Sequence, residues 1–216
     1  MKDLIIIGVG GLGRETAWFV ERINQKEPEW NLIGFLDDDE SLLGMDINGY
    51  KVLGKCGDVV NYPDAYFVCA VGASRTREKI INRVKALKPD IRFATLIDPS
   101  VQMSELVEVG EGTIVCAHAL ITVNIKIGSH VIINNDCTIG HDAVLQDFVI
   151  LYPSVNISGN TNIGRCSEMG VGSQIIQGKT VGNYSIIGAG AVVIRDIPDK
   201  CTAVGCPAKP IKFFDE

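Results

Sequence analysis

Two different spacings of apolar residues divide the chain near residue 97. Before that point, short aliphatic runs alternate with helical stripes. Residues 4–7 form a run suited to a strand covered on both faces. The glycine-rich segment Gly8-Val9-Gly10-Gly11-Leu12-Gly13 follows. Residues 14–26 read as a helix, with Ala17, Val20 and Ile23 along one side and Pro28 just past its end. Residues 32–36 form a second strand that runs into Asp37-Asp38-Asp39-Glu40, and residues 65–71 a third, closed by Gly72. Residues 75–88 carry Ile80, Val84 and Leu87 at i, i+4 and i+7, a second helix stopped by Pro89. Residues 91–96 give one more strand. This alternation predicts a small Rossmann-like β-α-β domain over 1–96.

From Ile97 onward every sixth residue is aliphatic: Ile97, Met103, Val109, Val115, Ile121 and so on to Ile187 and Val193. All 17 of these positions hold Ile, Leu, Val or Met. The residue after the aliphatic one is glycine at 110, 128, 140, 164, 170, 182 and 188. Four places on, the side chain is mostly small or β-branched, as at Thr113, Ala119, Val131, Cys137 and Ser167, with Ile125, Lys179 and Ile197 as exceptions. A helix cannot keep this stripe, because six residues rotate it by about 600°, which leaves the stripe about 120° out of place per repeat. Short straight segments joined by tight corners can keep it. The spacing therefore predicts a parallel β-solenoid over 97–198, with the aliphatic column stacked inside a narrow prism. Glycine serves there at corners of positive φ or where two backbones approach. Three segments close one coil, so the stretch holds between five and six rungs of 18 residues. Residues 199–216 form a C-terminal tail.

Composition narrows the function classes. Apolar residues make up 46% and charged residues 21%, which excludes a disordered chain. A formal charge of −6 without a basic cluster argues against nucleic acid as a partner. No run of 18 apolar residues exists to span a membrane. The first strand begins too early for a secretory signal. The seven cysteines are odd in number and contain no Cys-x-x-Cys pair, which points to reduced thiols in a cytoplasm and to no metal site.

Two segments carry candidate chemistry. Gly8, Gly10 and Gly13 satisfy G-x-G-x-x-G between a strand and a helix, where a bare backbone and a helix N-terminus suit a phosphate. Asp37, 24 residues beyond Gly13, stands near the spacing of a ribose-binding acid. Fewer than 100 residues precede the solenoid, enough for one mononucleotide half, so a nucleotide-linked sugar fits better than a dinucleotide. The second segment is Thr138-Ile139-Gly140-His141-Asp142-Ala143. Positions 139 and 143 both fit the interior pattern, so His141 points outward. A neutral imidazole is a suitable base at physiological pH, and Asp142 can accept from its other nitrogen and fix the tautomer. His118 and His130 read as structural or surface residues. A thin prism cannot enclose a ligand, so binding grooves lie outside it, between chains packed side by side.

The hexad stripe resembles the hexapeptide-repeat acyltransferases, whose fold is the left-handed parallel β-helix, an exception to the right-handed crossover rule. The segment Val204-Gly205-Cys206-Pro207-Ala208-Lys209-Pro210-Ile211 is similar to the closing signature of that family. Together with the glycine-rich N-terminal half, the chain resembles the subgroup of sialic-acid O-acetyltransferase-like proteins and N-acetyltransferases of nucleotide-linked 4-amino-4,6-dideoxy sugars. The resemblance implies an acetyl-CoA-dependent enzyme of surface-glycan biosynthesis, homotrimeric, with acetyl-CoA between adjacent prisms. It implies that Gly10, Gly11, Leu12, Asp37, Asp38 and Gly72 hold the nucleotide and that Asn134 contacts substrate. It makes His141 the general base and Asp142 its partner, and lines the cofactor groove with Ile150, Gly170, Val171 and Ala189. Leu12 and Ile150 stand where relatives often carry histidine. Backbone N–H groups near Gly170 and Gly188 are placed to bond the pantetheine amides. Three other functions compete: O-acetylation of sialic acid or a related sugar, a solenoid scaffold without catalysis, and a nicotinamide-dependent oxidoreductase.

Overall fold

A computed structural model describes residues 1–214. The chain divides into two compact units, Met1–Pro99 and Ser100–Glu216.

In the first unit, β1 (Lys2–Ile7) lies inside a sheet with β2 (Trp30–Leu36), β3 (Asp46–Ile47), β4 (Tyr50–Gly54), β5 (Tyr66–Cys69) and β6 (Arg92–Phe93), in the order β3-β4-β2-β1-β5-β6. All ladders are parallel except the β3–β4 hairpin. Leu4, Ile5, Ile6 and Ile7 are fully buried, as a strand covered on both faces requires. Helix α1 (Gly11–Lys26) buries Gly13, Thr16, Ala17, Phe19 and Val20. It starts three residues earlier than its apolar stripe indicated, directly at the glycine-rich turn. Helix α2 (Ser74–Leu87) buries Arg77, Ile81 and Val84, while Leu87 is exposed. The inward face is thus rotated from the stripe 80-84-87. Arg77 accounts for the difference, because its buried guanidinium donates to the carbonyls of Val71 at 2.6 Å and Gly72 at 2.8 Å. The β3–β4 hairpin was absent from the apolar pattern, since β3 has only two residues. Its turn, Asn48-Gly49, has positive φ at both positions, the two-residue geometry that favours this pair. Gly34 in β2 has φ +152°, and a Cβ there would lie 2.4 Å from the Lys51 carbonyl, so the approach of β4 requires glycine.

The second unit is a three-faced coil of two-residue strands. One face stacks Gln102–Met103, Leu120–Ile121, Thr138–Ile139, Asn156–Ile157, Gln174–Ile175 and Val192–Val193. Each strand pairs in parallel with the one 18 residues on, as in Ile121↔Ile139↔Ile157↔Ile175. The aliphatic column faces inward. From Val115 to Val193 each of its members is buried, whereas Met103 and Val109 at the open end are partly exposed. The residue four places on forms a second interior column, including Thr113, Val131, Cys137, Ala143, Ser173 and Ala191, all fully buried. Trimming one methylene from the aliphatic column tests its packing. Ile133→Val is expected to lower stability by about 1 kcal/mol, read as a lower midpoint in thermal denaturation.

The corners divide the labour of glycine differently from a simple positive-φ rule. From Val109 to Ile187 nearly every left-handed residue of the coil is the third after an inward aliphatic: Asn124, His130, Asp136, Asp142, Phe148, Ser154, Asn160, Cys166 and Tyr184 all have φ between +53° and +61°. The glycines that directly follow the aliphatic residue serve the close approach instead. A Cβ on Gly110 would lie 2.6 Å from the Gly128 backbone, and one on Gly170 would lie 2.6 Å from the Ile187 carbonyl. The tail extends the face that carries Ile186–Ile187: Cys201–Val204 pairs with it in parallel and Lys209–Phe213 returns antiparallel. No helix is long and apolar enough to cross a membrane among the described residues.

Candidate active site

His141 sits at the corner after Thr138–Ile139. Ile139 and Ala143, on either side, are buried in the prism, and the His141 side chain between them is 49% exposed. Asp142 holds the left-handed corner at φ +59°, which turns its carboxylate back toward the ring. Its Oδ2 lies 2.7 Å from His141 Nδ1. The hydrogen bond with His141 draws the Asp142 carboxyl below the usual carboxylate range, against a small desolvation penalty and with help from Asn124. An ionised carboxylate only accepts, so Nδ1 carries a proton, and in the neutral ring this leaves the lone pair on Nε2. The amide of Asn124, one rung below, donates to Asp142 Oδ1 at 3.4 Å. Asn124 was not anticipated from the sequence. Its signal was the 18-residue repeat itself, which stacks Asn124 beneath Asp142.

The other two histidines sit apart from this corner. His118 takes φ +63° at an exposed corner. His130 is buried and stacks on Phe148, with ring centroids 5.2 Å apart.

The glycine-rich turn lies at the carboxyl end of β1, beside the carboxyl ends of β2 and β5. In open α/β sheets this is where ligands bind. Helix α1 begins at Gly11 with Gly10 as its N-cap and no acidic side chain in its first turn. A Cβ on Gly10 or Gly11 would meet nothing within 4 Å, so space opens above this helix end. Leu12 is half-buried on the first turn. Gly72 follows β5, its carbonyl held by Arg77. The acidic run is already engaged within the unit. Asp37 accepts from the Val9 N–H at 2.9 Å and from the Asp39 N–H at 3.0 Å, so it braces the turn. Asp38 pairs with Arg83 at 2.5 Å and accepts from the Cys56 N–H at 3.0 Å. Burial pushes the Asp38 carboxyl up, and the bonds from Arg83 and Cys56 outweigh it, holding the group below its ordinary range.

The residues matched to the cofactor groove divide into two groups. Val171 and Ala189 are exposed at successive levels of one corner, next to Gly170 and Gly188. Ile150 departs from the expectation: it is 1% exposed in a strand paired with Ile132 and Glu168, so it is not open to a groove. Asn134 departs likewise. It is buried, and its amide donates to the Leu151 carbonyl at 2.8 Å, a bond between rungs rather than a free contact to substrate. In both cases position in the hexad was legible, but the burial of the outward side chains on this face was not.

Among the described residues no cysteine forms a disulfide; Cys56, Cys69, Cys116, Cys137, Cys166 and Cys201 are buried and Cys206 is exposed. Burial pushes the Cys56, Cys69 and Cys137 thiols up to about 12, which keeps them protonated. Among the described residues no group of three or more His, Cys, Asp and Glu is placed to hold a metal ion.

Comparison with known proteins places both units. Residues 3–84 match the family described as the PglD N-terminal domain. The acetyltransferase domain of PglB from Neisseria gonorrhoeae is 34% identical, with a TM-score of 0.88 over 98% of this chain and 100% of that one. A histidine-to-asparagine mutant of perosamine N-acetyltransferase from Caulobacter crescentus, solved with CoA and GDP-perosamine, is 28% identical at a TM-score of 0.86, covering 98% of each chain. GDP-perosamine N-acetyltransferase of Escherichia coli O157:H7 is 28% identical over 96% of this chain and 95% of its own length. The coil is the left-handed β-helix of these enzymes. From the hexad stripe, the glycine-rich N-terminal half and these full-length likenesses, the chain belongs to the hexapeptide-repeat acetyltransferases that carry a PglD-type N-terminal domain.

Proposed function

We propose that this protein transfers an acetyl group from acetyl-CoA to the amine of a nucleotide-linked 4-amino-4,6-dideoxy sugar in surface-glycan biosynthesis. The observation that carries the reading is the His141–Asp142 pair on an outward corner, with Nδ1 committed to the carboxylate at 2.7 Å and Nε2 left to accept a proton. As the sugar nitrogen attacks the thioester carbonyl, His141 takes its proton. The C–S bond then breaks, and the imidazolium returns that proton to the departing sulfur. Asp142 stabilises the transient imidazolium. The nucleotide is held by Gly10, Gly11, Leu12 and Gly72, with the helix N-terminus facing its phosphates. Asp37 supports this site by bracing the turn from behind, and Asp38 together with Arg83 edges it.

Val171 and Ala189 support a groove for acetyl-CoA, and their position favours a homotrimer. They stand at the corner that follows the Ile150–Leu151 face, whereas His141 stands one corner further along the coil. One face, on the order of 15 Å of extended chain, separates the two corners. A neighbouring prism laid against this face brings one chain's imidazole beside the other chain's cofactor groove. Exposed Leu120, Val123 and Ile176 supply apolar surface for such packing. The buried thiols fit a reducing cytoplasm.

The reading is tested by thiol release from acetyl-CoA against a panel of GDP-, UDP- and dTDP-linked 4-amino sugars. Turnover is expected with one nucleotide class. Release with free sialic acid and with none of the panel would overturn the assignment in favour of O-acetylation. A further prediction concerns Val171: Val171→Trp fills the proposed groove and is expected to raise KM for acetyl-CoA about 10-fold, leaving that of the nucleotide sugar within about twofold.

A further inference from the structure

The glycines that follow the inward aliphatic column have a steric reason in the neighbouring rung, its backbone in every case but Gly188, which meets the Val204 side chain, and the corner glycines 112, 172, 178 and 190 have positive φ. Gly159 has neither reason. It falls two places after Ile157, out of phase with the first set. The left-handed conformation at its corner belongs to the next residue, Asn160, at φ +53°. The same position on the other rungs holds Glu105, Val123, His141, Gln177 and Arg195, all with full side chains. What a Cβ on Gly159 would meet is the His141 ring: Nε2 at 2.5 Å, Cε1 at 2.6 Å and Cδ2 at 2.9 Å. Adjacent rungs are about 4.8 Å apart, so a ring leaning toward the next rung occupies the place of that rung's side chain. The Asn160 N–H donates to the His141 carbonyl at 2.8 Å and ties the two corners together.

We propose that Gly159 is a positioning residue, a bare floor that leaves room for the His141 imidazole to stand with Nδ1 on Asp142 and its Nε2 edge over the glycine. The proposal rests on His141 being the base. The ring is the far end of a half-exposed side chain, so a methyl at 159 displaces the ring rather than the rung. It swings Nε2 away from the reacting amine and loosens the bond to Asp142. Misplacement by about 1 Å is enough to slow a positioned reaction on the order of 100-fold.

Gly159→Ala is expected to lower kcat roughly 10- to 100-fold with KM for both substrates within about twofold, whereas a merely structural glycine would move both or neither. The paired measurement uses His141→Ala. In that background the added Gly159→Ala should change neither the residual rate nor the thermal midpoint, because the obstacle is gone. A Gly159→Ala protein that folds only when His141 is also Ala supports the same conclusion. A thermal midpoint that falls equally in both backgrounds would assign the glycine to rung packing and overturn the proposal. Wild-type turnover by Gly159→Ala beside an inactive His141→Ala overturns the positioning role alone. Wild-type turnover by His141→Ala overturns the base assignment, and this inference with it.

Discussion

A His141→Asn protein is expected to lose about 10²- to 10⁴-fold in kcat, the range that a positioned general base contributes. Its thermal midpoint and its affinity for CoA should stay at the wild-type values, because the side chain points away from the core and is half exposed. Asn is close in size to imidazole and can still bond Asp142, but it offers no nitrogen lone pair to accept a proton. The loss should therefore fall on kcat with little change in KM. Asp142→Asn separates the second role. It keeps the corner conformation, which Asn tolerates, but removes the charge that stabilises the imidazolium. A smaller loss is expected than for His141→Asn. The Asp142 carboxyl is held below its ordinary range by the bond from His141, so it stays ionised to more acid pH than a free carboxylate. A loss of rate that begins nearer neutrality therefore points to another group. In stability the sign follows from the same direction. A depressed carboxyl stabilises the fold above its unfolded pKa and loses that contribution as pH falls through the folded one. The variant should remove this small pH dependence only in the acid range. Rates within twofold of wild type for His141→Asn would sink the base assignment.

Much of this arrangement was legible in the sequence because the solenoid is nearly one-dimensional. Once the six-residue period is set, each residue's face and level follow by counting. Ile139 and Ala143 had to face inward, so His141 between them had to face outward. The same counting places Asn124 one rung below Asp142 and Gly159 one rung above His141. What counting does not reveal is whether an outward residue meets solvent. Ile150 and Asn134 are outward by phase yet buried, because burial depends on what covers a face rather than on position within it. In the first unit the limits were different. The inward face of α2 shares only Val84 with its apolar stripe because that face includes Arg77, whose charge hides it from any apolar count. Its partners are backbone carbonyls, which have no sequence signature. Asp37 and Asp38 were read by chain position as ligand groups, and that reading could not foresee their bonds to Val9, Cys56 and Arg83.

The glycine-rich turn allows the demands of folding and binding to be separated by single methyl groups. A Cβ on Gly13 would lie 2.0 Å from the Gly8 carbonyl oxygen and 2.9 Å from its carbon. Both atoms belong to the backbone between β1 and α1, so neither can yield without moving the helix off the sheet. Gly13→Ala is expected to destabilise the first unit by about 3 kcal/mol or more, the upper range for overpacking a well-packed site. It should appear as a lower midpoint in chemical denaturation and as lost nucleotide-sugar binding. Gly10 is the opposite case. It is exposed, takes φ −59° and has open space where a Cβ would stand. Gly10→Ala should therefore leave the denaturation midpoint within about 0.5 kcal/mol, the scale of surface substitutions. If a diphosphate packs against this helix end, the same methyl intrudes on it, and KM for the nucleotide sugar should rise at least roughly 10-fold while KM for acetyl-CoA holds. Two results would count against the turn as the nucleotide site: wild-type kinetics in Gly10→Ala, or equal loss of affinity for both substrates. Equal stability in Gly13→Ala would instead show that the helix can ride away from the sheet, and would remove the steric reason for the third glycine.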